Sequence, residues 1–583
     1  MKDLIKKNLD IYFLINKTSN HYKKFLASVF TLIIVFSFAK THSLKISLNH
    51  KKNNSFVILY VKPVGSGTQD GSSWENASSD IQSMINSASP NTQIWISAGT
   101  YKPNRPANNL NIISPNNRDN AFVMKNDVSL YGGFSGVETE TSQRDIISNP
   151  TILSGDFNDN DIITGSGKTL NIINNYENSY HIIINVGTST TLDGLRITRG
   201  NSNGLSTLSV DNKSIYRNYG GGIYNINGSL TLENVNTSEN SSQTLGGGIY
   251  NADNGNIKFK NCIVSKNYNM EVRGGGIYNT TGNIEILNTD IFGNSARNNS
   301  GGGIYSNFGS LSLINSKVRG NYVNSNGSGI NNNYGTVMLR NSILNDNIAD
   351  GFGGGMFSIQ DNNDSQNVIL TNCTVSGNLG QSGHGGIFGL FTLKNSIVWS
   401  NSTDEGIGGI QDTPYIQQNS IVQSVNNINN GNFDGTDQSI IVFKDVTNND
   451  YSLATNSPLI NAGSNNFYIE VGGDLIIDKD IAGNQRLKGD NIDIGAYEFT
   501  ETMNVLDTSK NNTYTYPNPF SDNLKISNIK NIKQITLTDM SGSFIKNLPS
   551  SKEINLSYLR NGLYIITIYF YDGSIKSFKI IKK

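Results

Sequence analysis

From Gly220 to Asn401 the apolar and polar positions recur in a fixed order. A glycine-rich half reads GGGIYN at Gly220, Gly246 and Gly274, GGGIYS at Gly301, GSGINN at Gly327, GGGMFS at Gly353 and HGGIFG at His384. The half that follows runs apolar-x-apolar-x-Asn-x-x-apolar-x-x-Asn. Its first Asn is residue 234, 261, 288, 315, 341, 372 or 395, and its second lies six positions on. A period of 26–27 residues, with apolar residues at period two and Gly, Asn, Thr and β-branched side chains throughout, is a strand pattern rather than a helical one. One such unit cannot bury its own core and must stack on its neighbours. The repeat therefore predicts an all-β fold in which each unit is one coil of a parallel β-helix.

In that fold the first strand turns Ile223, Ile249, Ile277, Ile304, Ile330, Met356 and Ile387 inward. The second buries pairs such as Leu230 with Leu232 and Ile257 with Phe259. The third buries Val235 or Thr237, Val264, Ile291, Val318, Leu344, Val375 and Val398. The Asn positions fall at corners, where Asn tolerates left-handed backbone and its amide reaches the Asn of the next coil.

The remainder of the chain divides around this array. Ser79 and Gln82 have capping-box spacing, and Ile81, Met84, Ile85 and Ala88 share one face, which predicts a capping helix near 79–88 over the open end of the stack. Irregular coils lead from Tyr60 into the array. The stretches QDTPYIQQNSIVQ and QSIIVFKDV read as last coils, and an end-piece over 450–499 closes the helix. Residues 500–513 are polar and aperiodic, a linker. From Tyr514 to Lys583 short alternating strands predict a small antiparallel β-sandwich.

Composition narrows the function. With 45 basic and 46 acidic residues in 583 and a formal net charge of −1, the chain has no electrostatic footprint for nucleic acid. Lysines precede the apolar run Phe25–Ala39, whose fifteen residues are short for a spanning helix. Ser37-Phe38-Ala39 fits a small-x-small cleavage site, so 1–39 reads as a secretory signal peptide cut after Ala39 and 40–59 as a lead-in. An uncleaved anchor is the alternative. Cys262 and Cys373 occupy the same slot four coils apart, about 19 Å at ~4.8 Å per strand, beyond the roughly 4.4–6.8 Å a disulfide spans. Both are expected free and buried.

The GGGI and paired-Asn coils resemble the pectate-lyase-like right-handed β-helix superfamily and chlamydial polymorphic outer-membrane protein repeats. SPLINAG, DIAGNQR and DIGAYEF resemble the choice-of-anchor end-piece of bacterial surface proteins. The last 70 residues resemble the type A C-terminal sorting domain of the type IX secretion system. That match rests on Tyr516-Pro517-Asn518-Pro519-Phe520, Asp539-Met540-Ser541-Gly542, Asn561-Gly562-Leu563-Tyr564 and the terminal Lys579-Ile580-Ile581-Lys582-Lys583. The resemblance implies export through the periplasm, recognition by the type IX machinery, and a secreted or surface, outer-membrane-associated location.

Sugar-cleaving chemistry needs clustered carboxylates for Ca²⁺ with a nearby Arg or Lys base, or a carboxylate pair at defined separation. The aligned repeats instead place Glu233 over Lys260, Lys258 over Glu285, Glu239 over Lys266 and Asp290 over Lys317. Opposite charges in register stabilise a sheet. Asn288-Thr289-Asp290 and Gly383-His384-Gly385 imitate polygalacturonase motifs but stand coils apart, so no catalytic residue is assigned. Asp156, Asp159 and Asp161 are candidate Ca²⁺ ligands, although the twelve-residue loop pattern fails and a solvated loop is preferred. No other cofactor is expected. Near Asp478, Asp480, Asp490 and Asp493, Arg486 is read as pairing with Asp493 or Glu498. Tyr224, Tyr250, Tyr278, Tyr305, Phe357 and Phe388 each follow an inward residue, so alternation turns them outward as a row. That row either stabilises the strand face or docks glycan or a partner surface. The favoured reading is an exported β-helix acting as an adhesin or glycan- or partner-binding scaffold. The alternative is a secreted polysaccharide lyase or glycoside hydrolase acting on uronic-acid polysaccharide, with its site before Gly200 or after Asn401.

Overall fold

The computed structural model describes residues 56–360, 367–403, 406–407, 416–437, 439–500, 513–539, 543–571 and 575–583. The signal segment with its cleavage site at Ala39, most of the lead-in, the linker between 501 and 512, and Gly542 lie outside the described residues.

Each repeat is one coil of parallel strands stacked in register. Ile223 sits beside Ile249, then Ile277, Ile304, Ile330, Met356 and Ile387 in successive coils. The inward residues of the first three strands join one continuous core that runs from Val61 to Val422. Like over like is what lets a single repeat sequence fill that column at every level. A coil such as the one starting at Ile223 has four strands rather than three: Ile223–Ile226, Ser229–Glu233, Asn236–Ser238 and the two-residue Ser241–Ser242. The fourth is too short for an alternation to reveal, and its small residues Ala296, Val323 and Ala349 make a separate buried cluster.

The corners behave as the Asn spacing implies, with one correction. The first Asn of each repeat is left-handed, with φ between 48° and 56° from Asn234 to Asn395. Its amide bonds across coils, as from Asn315 Nδ2 to Asn288 Oδ1 at 2.7 Å. At the second corner the left-handed residue is the one before the Asn, such as Glu239, Lys266, Asp346 and Ser400. The second Asn itself points inward and is buried in every repeat. Asn294 Nδ2 donates to the Val264 carbonyl at 2.9 Å and to Asn321 Oδ1 at 3.0 Å, and the pattern repeats along the stack. A further buried ladder links Asn185, Asn225, Asn251 and Asn279 at 2.6–2.7 Å. The glycine runs are enforced by crowding: a Cβ at Gly247 would lie 2.4 Å from the Gly275 carbonyl oxygen of the next coil.

The N-terminal helix is Ile81–Ser87, and its cap is Asp80, which accepts from the Ser83 N–H, rather than Ser79. Gln82 is drawn off the expected capping box because it is buried and pairs with the Val123 backbone, accepting at 2.8 Å and donating at 3.2 Å. At the other end Ile416–Gln418 and Ile421–Val422 still stack as parallel strands. The stretch QSIIVFKDV does not form a coil: Phe443–Asp445 turns into an antiparallel hairpin with Asp450–Leu453. The end-piece runs along the flank of the last coils instead of stacking on them. Corner amides hold it there, Asn341 donating to Lys479 O at 2.7 Å, Asn372 to Asp493 O at 3.0 Å and Asn395 to Ser464 O at 2.8 Å.

The second unit, Phe499–Lys583, is described by itself. A three-stranded and a four-stranded sheet, both antiparallel, enclose a core that includes Phe520, Leu524, Ile535, Leu537, Ile566, Ile568 and Ile580.

Candidate functional site

The aromatic row does turn away from the coil interior, as alternation demands. Tyr224, Tyr250, Tyr278 and Tyr305 follow one another with ring centroids 4.8, 5.5 and 5.2 Å apart, and Phe357 stacks on Phe388 at 4.8 Å. The expected exposed strip is absent, however, because a second layer covers the tyrosines. A hairpin, Thr207–Val210 with Lys213–Tyr216, brings Leu208, Val210 and Ile215 into the same buried cluster as the tyrosines, Tyr219 packs on Tyr250, and Arg273 lies over the Tyr305 ring at 4.9 Å. Tyr224 is 0% and Tyr305 1% exposed. Burial pushes all four phenols above their ordinary range. Phe357 is also buried, while Phe388 is half-buried beside Phe352 and His384. Nothing as large as a sugar reaches the tyrosine faces.

The sequence reading missed a different pair of aromatics. At the turn between the first and second strands the left-handed residue is Asn227, Asn254 or Thr281 in three coils, then Phe308 at φ 54° and Tyr334 at φ 57°. Bulky residues rarely occupy that conformation, which costs roughly 1–2 kcal/mol. Both rings are exposed, 58% and 42%, and they stack at 5.2 Å. The signal in the sequence was an aromatic directly before the turn glycine, where sister coils carry small polar residues.

Asp156, Asp159 and Asp161 part company in three dimensions. Asp159 is exposed and pairs with Lys102 at 2.7 Å. Asp156 is fully buried, accepts from the Asn158, Asn160 and Asp161 N–H groups, and meets Arg199 Nη1 at 3.2 Å. Asp161 joins it, and the third member is Glu177, sixteen residues further on and absent from the sequence reading. One oxygen from each of the three lies within 4.8 Å of the others. Burial is the chief cause that pushes the Asp161 carboxyl up to about 7, with the Asp156 charge adding to it. Oδ1 of Asp161 and both carboxylate oxygens of Glu177 are sealed from solvent. A sugar polymer cannot contact them.

The charges over the coils are largely tied in pairs. Lys260 meets Glu233 at 2.5 Å and Lys258 meets Glu285 at 2.9 Å, as the register implies. Two expected partners differ: Glu239 pairs with Arg196 at 2.8 Å, and Asp290 with Arg319 at 2.8 Å, because arginine's longer fork reaches across the strand. In the end-piece Arg486 is buried with Glu498, 3.4 Å away, and donates to the Asp493 and Gly495 carbonyls. Burial raises the Glu498 carboxyl to about 8 despite that cation. Cys262 and Cys373 are free and buried, which pushes both thiols up.

In the C-terminal unit the sorting motifs from both ends of its sequence converge. Asn518, between Pro517 and Pro519, donates to Lys579 O at 2.7 Å and accepts from Ile581 N at 2.9 Å. The Phe520 N–H donates to Ile581 O and its carbonyl accepts from the Lys583 N–H, each at 2.9 Å, and Lys582 reaches Asp522 at 3.0 Å over the Phe520 ring. Tyr564, two residues beyond Gly562, donates from its hydroxyl to Arg560 O at 2.9 Å, and the Tyr516 ring lies 5.6 Å from that of Tyr514, tilted by 42°.

These features define a parallel β-helix and, as a separate unit, a small antiparallel β-sandwich. Residues 514–583 match the family described as the secretion system C-terminal sorting domain. The chain thus carries a type IX sorting signal, engages that secretion machinery, and is delivered to the cell surface or secreted across the outer membrane. A search of curated proteins finds no match. Among solved structures the chain is similar to pectate lyase Pel9A, with 16% identity and a TM-score of 0.45, over 76% of this chain and 96% of that one.

Proposed function

We propose that the β-helix is a non-catalytic adhesin that binds extracellular polysaccharide. The observation that carries this is the exposed Phe308–Tyr334 pair, held in a backbone conformation that folding alone disfavours. Two exposed rings at coil spacing offer an apolar surface to the C–H faces of a sugar chain. Beside them on the second strand runs a row of amides and hydroxyls, Asn256, Asn283, Ser310 and Thr336, in register from coil to coil. Asn283 donates to Asn256 at 2.9 Å and accepts from Ser310 at 2.6 Å, so the row is ordered before any ligand arrives. Preorganised polar groups beside stacked rings lower the entropy cost of binding.

The test replaces both rings by the residue sister coils use, Phe308→Asn with Tyr334→Asn. Affinity for the bound polysaccharide, measured on a glycan array and then by titration, is expected to fall at least tenfold. Stability should not fall, since Asn tolerates the left-handed turn that is costly for the two aromatics. Unchanged affinity would overturn the proposal.

A further inference from the structure

We infer that Asp156, Asp161 and Glu177, with the side-chain oxygen of Asn178, form a Ca²⁺ site that clamps the two ends of a strap across the coils. The strap is the excursion from Gly155 to Ser179. It contains the hairpin Ile162–Thr164 with Asn171–Ile173 and lies along the short fourth strands. Gly167 N–H donates to Gly293 O at 2.9 Å, Asn175 Nδ2 to Ser241 Oγ at 3.0 Å, and Lys168 meets Asp350 at 3.2 Å. Asp156 and Asp161 stand where the strap leaves the stack, and Glu177 and Asn178 where it returns.

Three observations point to a cation. No two of the three carboxylate oxygens are more than 4.8 Å apart, and oxygens bound to one Ca²⁺ at about 2.3–2.6 Å are at most about 5 Å apart. Asn178 is fully buried, and its Nδ2 donates to Asp161 Oδ2 at 2.8 Å. Its Oδ1, on the same planar amide, has no donor. The oxygens of Glu177 and Oδ1 of Asp161 are likewise buried without partners, although Arg199 and three backbone N–H groups already serve Asp156. Buried carboxylates without donors are costly unless a cation compensates them. All the free atoms are hard oxygens, which suits Ca²⁺ better than a transition metal.

Chelator-treated full-length protein, titrated with CaCl₂ and separately with MgCl₂ in a calorimeter, is expected to bind one Ca²⁺ and to prefer it to Mg²⁺. Glu177→Gln and Asp161→Asn should each weaken binding at least tenfold, and Asp159→Asn, outside the cluster, less than twofold. Ca²⁺ should slow tryptic cleavage after Lys168 at least tenfold in the wild type and not in Glu177→Gln. Absence of Ca²⁺ binding by the wild type, which needs no variant to fold, would overturn the site. So would Mg²⁺ preference, or an Asp159→Asn loss equal to that of Glu177→Gln.

Discussion

Replacing Asn294 by Ala isolates the buried amide ladder as a source of stability. Besides its bond to Asn321 Oδ1 on the next coil, the Asn294 side chain makes three buried hydrogen bonds to the preceding coil. It donates to Val264 O at 2.9 Å and accepts from the Asn267 backbone N–H and the Asn267 Nδ2, each at 3.0 Å. A buried group left without its partner costs ~1–3 kcal/mol. Three at the low end give about 3 kcal/mol, and the cavity left by the amide adds to it. Stability in a stack is a sum over neighbours, so the loss is local to the coils around residue 294. Hydrogen exchange at the Asn267 amide is therefore the assay, and about 3 kcal/mol is a loss of protection on the order of 100-fold. Asn283→Ala is the control, because its amide bonds to the preceding coil on the exposed surface, where substitutions usually stay within about 0.5 kcal/mol. Equal protection in the two variants would refute the reasoning.

Two further outcomes follow from the same geometry. His181 is buried, its Nδ1 against Gly220 O, and desolvation holds it down to about 4, beside the mutually paired Asp119 and Arg217. Its unfolded pKa is higher, near 6.5, so the unfolded chain takes up the extra proton as pH falls. Stability should drop between about pH 6.5 and about pH 4 by up to about 3 kcal/mol. In thermal melts across that range His181→Phe should flatten the dependence, and parallel curves would contradict it. Deleting Tyr514–Lys583 should strand the protein in the periplasm of the producing cell on fractionation, and surface display of the truncated form would contradict the delivery route.

The array was legible because stacking forces each level to repeat the last: the inward Ile223, Ile249 and Ile277 and the corner Asn234, Asn261 and Asn288 announce their neighbours. What occurs once has no such echo. Alternation turned Tyr224 outward correctly, yet nothing in one pass of sequence says that Leu208 and Ile215 fold back over it. Glu177 was invisible for a related reason. A twelve-residue loop test looks for acidic residues in one turn, whereas this cluster draws its carboxylates from the two ends of a strap. Register gave Asp290 the neighbour Lys317, but side-chain reach chose Arg319. Phe308 and Tyr334 were readable in principle, since only their size departs from the turn residues of sister coils.

The measurement that bears most directly on the account is to present the intact protein with a panel of uronic-acid polysaccharides in the presence of Ca²⁺ and follow binding and product together. The account predicts saturable binding to at least one polymer with no unsaturated products and no new reducing ends. Turnover that disappears on mutation of a single acidic residue would contradict it.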